Sequence, residues 1–371
     1  MPQARYLVPQ VEADLAKKMV FVAGPRQVGK TTMALGLPGG RKAYRSWDVP
    51  ADREKILRDE LPPGDLLILD EIHKYRRWRN HLKGLYDRAD RAHRILVTGS
   101  ARLDLYRFAG DSLQGRYHLL HMHPFTVAEL GIRTGKELDA LLRLSGFPEP
   151  WFGGSETQAR RWSREYRSLL IHDEVSSLER IDDLGNLENL VLRLPDLVGS
   201  PLSANALRED LQVDHRTVTR WLDVLERLYA IFRLQPFGTP RIRAIKKMPK
   251  HYHFDWSLVQ APGARFENLV ASHLLKWVHW QQDTEGRSLE LRYFRDRDGR
   301  EVDFVVLEGR RPVLLVEAKL GDDEVDRCLR TMRQRFPECP AWQVHAKGTK
   351  DYQTPDGIRV APAVTLLRTL V

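Results

Sequence analysis

Eight residues restrict this chain more than any others: Gly24, Pro25, Arg26, Gln27, Val28, Gly29, Lys30 and Thr31 satisfy the pattern G-x-x-x-x-G-K-[ST]. The run Lys18-Met-Val-Phe-Val-Ala-Gly24 that leads into them is apolar and long enough for one buried strand. A helix-compatible stretch from Thr32 to Leu37 follows. A strand that ends in a glycine loop and opens a helix is the setting in which this pattern binds phosphate. Glycines let successive backbone N–H groups curl around phosphate oxygens, and a helix N-terminus adds partial positive charge. In that setting residues 24–32, Thr32 included, cradle a nucleotide, Lys30 reaches its outer phosphates and the Thr31 hydroxyl ligates Mg²⁺. The expected ligand is ATP with Mg²⁺, and ADP the product.

About forty residues on, Leu66-Leu-Ile-Leu-Asp70-Glu71 puts four apolar residues ahead of two acids, the form of a Walker B segment. Asp70 is the candidate for the Mg²⁺ shell, and Glu71 for orienting or deprotonating the attacking water. The Asp-Glu doublet points to a hydrolase rather than a small-molecule kinase. Arg94-Ile-Leu-Val-Thr-Gly-Ser100 is another buried-strand pattern. In P-loop ATPases such a strand lies between the other two and its tip senses the γ-phosphate, a role open to Ser100 or Thr98.

Gly-Pro-Arg-Gln-Val-Gly-Lys-Thr-Thr, Leu-Asp-Glu-Ile-His-Lys and Val-Thr-Gly-Ser-Ala-Arg-Leu, with Asp-Ser-Leu-Gln-Gly-Arg116 and His-Pro-Phe-Thr-Val-Ala-Glu-Leu130, resemble a family of prokaryotic AAA-type ATPases. In that family the ATPase is fused to a C-terminal domain of unknown function, and the resemblance spans essentially the whole chain. One departure is Tyr75-Arg76-Arg77-Trp78, where the family implies a proline-containing turn. The resemblance makes Arg116 the arginine-finger candidate, acting across a subunit boundary in a homo-oligomer, with Arg102 and Arg107 as rivals. An arginine that merely starts a strand and pairs with an acid is the plain alternative.

Pro148, Pro150 and Gly153-Gly154-Ser155 mark a boundary region, beyond which the pattern is helical. Ser203 caps a helix that runs to Leu211, Gln212-Val-Asp214 turns the chain, and Asp214 caps a second helix. Along it Val218, Trp221, Leu222, Leu225, Leu228 and Tyr229 recur at helical spacing, leaving His215, Arg216, Thr219 and Arg220 on the open side. With the apolar segment Ile231-Phe-Arg-Leu after it, this is a helix-turn-helix with winged-helix character. It is either a DNA-reading element or a lid on the ATPase.

Glu301-Val-Asp303-Phe-Val-Val-Leu307 alternates as a strand, Glu308-Gly-Arg-Arg311 can turn it, and Val313-Leu-Leu-Val-Glu317-Ala-Lys319-Leu320 returns. Period two puts Leu314, Val316, Ala318 and Leu320 on a buried face and Glu317 with Lys319 on the other. An Asp followed across a hairpin by Glu-x-Lys resembles the active site of PD-(D/E)xK nucleases, which also use an acid on an earlier helix, here Glu267. On that resemblance Glu267, Asp303 and Glu317 hold Mg²⁺ or Mn²⁺, and Lys319 orients the attacking water. A salt-bridged strand face without activity is the alternative, since fold does not establish function.

The expected architecture is α/β: a P-loop AAA-type ATPase core over 1–135, a helical winged-helix-like lid or linker over 136–240, and a restriction-endonuclease-like domain over 241–371. Lys and Arg number 59 against 50 Asp and Glu, a net +9 compatible with a polyanionic partner. Eight basic residues against two acids lie between His73 and Arg94, and five against none in Arg241 to Lys250. Each run is a solvated face or a phosphate-binding surface, and DNA is favoured over RNA because no RNA-recognition aromatic motif is evident. No apolar run approaches the roughly 20 residues of a membrane span, no signal peptide is evident, and Cys328 and Cys339 are too few for a disulfide framework or zinc site. A cytoplasmic setting is expected. The function expected is ATP hydrolysis coupled to handling or cutting DNA; the alternative is an ATP-driven switch with a non-cutting nuclease-like module.

Overall fold

The computed structural model describes residues 4–88, 93–99, 113–175, 183–238, 248–296 and 298–371. The chain divides into two compact units, residues 1–124 with 283–285, and 125–282 with 286–371. Among the described residues no helix is long and apolar enough to cross a membrane.

The first unit is built on strands β1 (Met19–Ala23), β2 (Tyr44–Ser46), β3 (Leu66–Asp70), β4 (Arg94–Thr98) and β5 (Tyr117–His121), ordered β2-β3-β4-β1-β5. Every pairing is parallel. A parallel sheet is covered on both faces, so its strands read as continuous apolar runs. The cluster of Phe21, Leu67, Leu69, Trp78, Leu82, Ile95 and Val97 forms a buried core on the sheet. Parallel strands also deliver their C-terminal ends to one edge, where ligands of open α/β sheets bind. Here β1 delivers residues 24–31, β3 delivers Asp70, and β4, lying between them, delivers Thr98. Thr98 is in register with both Val22 and Asp70.

In the second unit, helices α2 (Leu184–Arg193), α3 (Ala204–Leu211) and α4 (His215–Arg227) precede the antiparallel ribbon β6 (Ile231–Leu234) and β7 (Lys250–His253). The caps fall where the side chains dictate. Ser203 accepts from Ala206 N–H and Asp214 from Thr217 N–H, while Gln212 takes the left-handed conformation between the helices. Val218, Trp221, Leu222, Val224 and Leu225 of α4 are buried, and His215, Arg216, Arg220 and Arg227 are exposed.

Helix α5 (Pro262–Glu285) leads to a six-stranded sheet ordered β12-β13-β11-β10-β9-β8, made of β8 (Leu289–Arg295), β9 (Glu301–Glu308), β10 (Arg311–Lys319), β11 (Ala341–His345), β12 (Tyr352–Gln353) and β13 (Ile358–Pro362). The expected division of β10 into a buried and an open face does not hold. Leu315 and Glu317 are buried at 0% and 3% exposure, whereas Leu320, assigned to the buried side, is 37% exposed. The strand is central, paired with β9 and β11. Its Leu315 face packs in a core with Leu329 and Met332 of helix α6 (Arg327–Arg335). An isolated hairpin pattern cannot announce a helix that arrives later in the chain.

Two buried polar clusters brace this unit. Lys276, fully buried on α5, donates to Thr126 Oγ1 at 2.9 Å and to Glu129 Oε2 at 2.8 Å. Three residues back, His273 donates from Nδ1 to the Leu269 carbonyl and accepts at Nε2 from Val127 N–H, at 2.8 and 3.0 Å. Both ring nitrogens are thus used by the neutral ring, and burial lowers its pKa from 6.5 to about 3. Between those values the unfolded chain binds a proton that the folded chain refuses, so stability falls as pH drops through that window. The contribution is fully present above pH 6.5 and lost below about 3, on the order of 5 kcal/mol. His273→Asn should flatten the acid-induced fall in the urea midpoint relative to the parent; an identical fall in both proteins would contradict this.

Candidate functional site

The loop after β1 is held in shape by its backbone and by one distant arginine. Gly24 has φ +145°, and a Cβ there would lie 2.2 Å from the Met122 carbonyl oxygen of the adjoining chain, so no side chain fits. Gly29 has φ +101° and caps helix α1 (Lys30–Gly36). Arg5, buried, donates to the carbonyls of Val28 and His123 and so ties the loop to the chain leaving β5. Arg5 lies outside the loop's own pattern, so no motif signals it.

Lys30 is buried and folds back over the loop, donating to the carbonyls of Gly24 and Pro25 at 2.9 and 2.6 Å. Asp70 gathers three hydroxyls. Its Oδ2 accepts from Thr31 Oγ1 at 3.0 Å and from Tyr44 OH at 2.6 Å, and its Oδ1 accepts from Thr98 Oγ1 at 2.6 Å. Tyr44, missed in the sequence reading, arrives from β2, which lies beside β3. Its phenol is raised in pKa by burial and then by the Asp70 carboxylate, so it stays a donor. Thr31 and Asp70 offer hard oxygen donors side by side, the set Mg²⁺ prefers. The residues therefore fit the ion. Glu71 follows in the left-handed conformation at φ 57°, with its N–H bonded to the Thr98 carbonyl. Its carboxylate lies 3.4 Å from Lys74 Nζ and 3.5 Å from His73 Nε2.

Ser100, Arg102 and Arg107 lie outside the described residues, as do Arg241, Arg243, Lys246 and Lys247. Arg116 immediately precedes β5, which runs parallel to β1 with Tyr117 beside Met19. It therefore sits at the edge opposite the glycine loop, roughly 17 Å away along a five-residue strand, and cannot serve its own loop. There it makes a two-pronged bond to Asp87, at 2.8 and 3.0 Å.

The three acids and the lysine expected in the last third do come together. Phe304 pairs with Val316 and Val305 with Leu315, which sets Asp303 opposite Glu317. Glu317 Oε2 accepts from Asp303 N–H at 3.2 Å, and Asp303 Oδ2 accepts from Ala318 N–H at 2.9 Å. Lys319 donates to Glu317 Oε1 at 2.6 Å. Burial raises Glu317 to about 7 against the pull of Lys319. Burial, then Glu267 and Glu317, raise Asp303 well above the carboxylate range.

Glu267 faces the cluster from α5, but its partners are Tyr252, which donates at 2.6 Å, and Lys250 at 3.2 Å. Lys250 was read as the end of a surface basic run. Instead it is fully buried on β7, with Nζ 3.0 Å from Glu301 and 3.7 Å from Asp303. Among the described residues no group of three or more His, Cys, Asp or Glu side chains is arranged to hold a metal ion. With Lys250 seated between Glu267 and Asp303, this cluster does not fit a divalent ion.

Comparison with known families gives three matches along the chain. Residues 16–131 match a family described as an AAA domain. Residues 135–265 and 262–366 match two domains of unknown function (DUF8612 and DUF4143). An uncharacterized protein of Mycobacterium tuberculosis is 26% identical over 246 residues, 65% of this chain and 55% of the relative. The chain thus spans about half the length of that relative. Among solved structures, a Walker-type ATPase of Pyrococcus abyssi aligns with TM-score 0.41 and 16% identity, over 70% of this chain and 97% of that one. The ORC1 protein of Aeropyrum pernix in complex with DNA aligns with TM-score 0.33 and 13% identity, over 74% and 94%. Glycine loop, hydroxyl-ringed Asp70 and the family match agree: residues 16–131 form a P-loop domain that matches the AAA domain family.

Proposed function

We propose that the chain hydrolyses ATP with Mg²⁺ and couples turnover to binding duplex DNA. The observation that carries the first half is the convergence of the Thr31, Tyr44 and Thr98 hydroxyls on Asp70, all within 3.0 Å, beside the glycine loop. In this reading Lys30 leaves the Gly24 and Pro25 carbonyls to meet the β- and γ-phosphates. Residues 24–32 cradle the phosphates, and Thr31 and Asp70 would hold Mg²⁺, which would supply positive charge beside them. Glu71 orients the attacking water, its carboxylate aimed by His73 and Lys74. Ser100 and Thr98 are the sensor candidates. Arg116 acts only in trans, in a homo-oligomer, after leaving Asp87.

The DNA half rests on α3 and α4 joined by a tight turn and followed by the β6–β7 ribbon, which we read as winged-helix-like. The exposed face of α4 carries His215, Arg216, Arg220 and Arg227, side chains that suit a major groove and its phosphates. Duplex binding should weaken with salt with a log–log slope of about −0.9 per phosphate neutralised, and Arg216→Gln with Arg220→Gln should flatten that slope by one to two such units. An unchanged slope would leave α4 as a solvated face, and ATP turnover indifferent to duplex DNA would remove the coupling.

For the C-terminal segment the sequence offers a reading with bound metal, which the seat of Lys250 among the acids disfavours, and one without. In the first it is a PD-(D/E)xK-like nuclease, with Glu267, Asp303 and Glu317 as ligands of Mg²⁺ or Mn²⁺ and Lys319 beside the water. In the second it is a non-cutting module of an ATP-driven switch. The position of Lys250 favours the second.

A further inference from the structure

We infer that Lys250 is the built-in counter-ion of the Glu267–Glu301–Asp303 cluster, its ammonium standing where a divalent cation would otherwise be bound. The inference rests on reading the C-terminal segment as nuclease-like. Three observations carry it. The first is position: the ammonium lies 3.2 Å from Glu267, 3.0 Å from Glu301 and 3.7 Å from Asp303, reaching acids from helix α5 and strand β9 at once. A Mg²⁺ or Ca²⁺ ion needs carboxylate oxygens at roughly 2.0–2.6 Å, so ion and ammonium cannot share these oxygens.

The second is burial. Lys250 has 0% exposure, and a buried ammonium is retained only when paired and hydrogen-bonded. The ring of Tyr293, 5.6 Å from Nζ, adds a further favourable surface.

The third is how the acids are otherwise engaged. Tyr252 OH donates to the same Glu267 oxygen that Lys250 approaches. Asp303 Oδ2 is taken by the Ala318 N–H and Glu317 Oε1 by Lys319. Strand β7 makes this possible: Lys250 and Tyr252 share one face, and His251 turns to the other, where its Nε2 meets the Leu194 carbonyl. A lysine on a strand cannot diffuse away as an ion does. Pairing of β7 with β6 seats one positive charge among the three acids, and metal is excluded while that ribbon is intact.

The test uses the full chain without nucleotide, in a Thr31→Ala background that removes a P-loop metal donor. Mn²⁺ binding is measured by electron paramagnetic resonance, and thermal unfolding is measured in Mn²⁺ and in EDTA. The Lys250-containing chain should bind no Mn²⁺ tightly and melt at the same temperature in both. Lys250→Met should melt lower in EDTA, recover part of the loss in Mn²⁺ and gain a single Mn²⁺ site that Asp303→Asn removes. Tight Mn²⁺ binding by the Lys250-containing chain that Asp303→Asn abolishes would overturn the inference while leaving the nuclease reading in place. A folded Lys250→Met that binds no Mn²⁺ would overturn both. Should Lys250→Met fail to fold, the Lys250-containing chain and its Asp303→Asn variant decide alone: no tight Mn²⁺ site supports the inference, and a site lost with Asp303 overturns it.

Discussion

Lys30→Ala should abolish ATP turnover, by at least about a hundredfold, since removing one preorganised charge-stabilising donor typically costs 10²–10³. It should also weaken nucleotide binding. Lys30 is buried, and it donates to the loop's own carbonyls. Those are neutral acceptors that a phosphate replaces with a far stronger charge-assisted bond. Alanine leaves the Gly24 and Pro25 carbonyls without that donor, yet the loop geometry rests on Gly24, Gly29 and Arg5. Steady-state turnover and calorimetric ATP binding on Lys30→Ala check both halves. A variant that folds, binds and turns over at the parental rate would mean the loop is not the catalytic site.

Lys276→Met should cost about 3–5 kcal/mol of stability. Lys276 and Glu129 have side chains 0% and 2% exposed, 2.8 Å apart. Methionine preserves most of the volume but leaves a carboxylate buried opposite an apolar group. Breaking one partner of such a pair costs far more than removing both. Chemical denaturation of Lys276→Met should therefore show the full loss, and Lys276→Met with Glu129→Gln should recover a large part of it. Equal stability of the single and double variants would show that the loss comes from Thr126 and packing rather than from the stranded charge.

Local signals in the sequence carried far. Ser203 and Asp214 cap the helices assigned to them because a short acceptor before an apolar-periodic run has a nearby N–H to satisfy. The strand, glycine loop and helix around residues 19–36 read correctly for a similar reason, since each step constrains the next residue in the chain. What escaped depends on partners brought by sheet order. Tyr44 reaches Asp70 only because β2 lies beside β3, and Arg5 reaches Val28 across 23 positions. Lys250 looked like one more charge in a basic run because nothing in the run itself tells which residue faces Glu267 and Glu301. Ribbon pairing with β6 decides that. The expected open face of β10 failed for the same cause, a later helix packing over Leu315.

The central claim is that ATP is hydrolysed at the β1–β3–β4 edge with Glu71 acting on water. Glu71 sits just past Asp70 in a left-handed conformation, its N–H fixed by Thr98 and its carboxylate between His73 and Lys74. Glutamine keeps the shape and removes the charge and basicity. The decisive measurement is ATP binding and steady-state turnover of Glu71→Gln against the parent, in Mg²⁺. Binding should be unchanged while turnover falls by about 10²–10⁴, the contribution of a positioned general base. Turnover at the parental rate would contradict the assignment of Glu71 and the hydrolytic mechanism built on it.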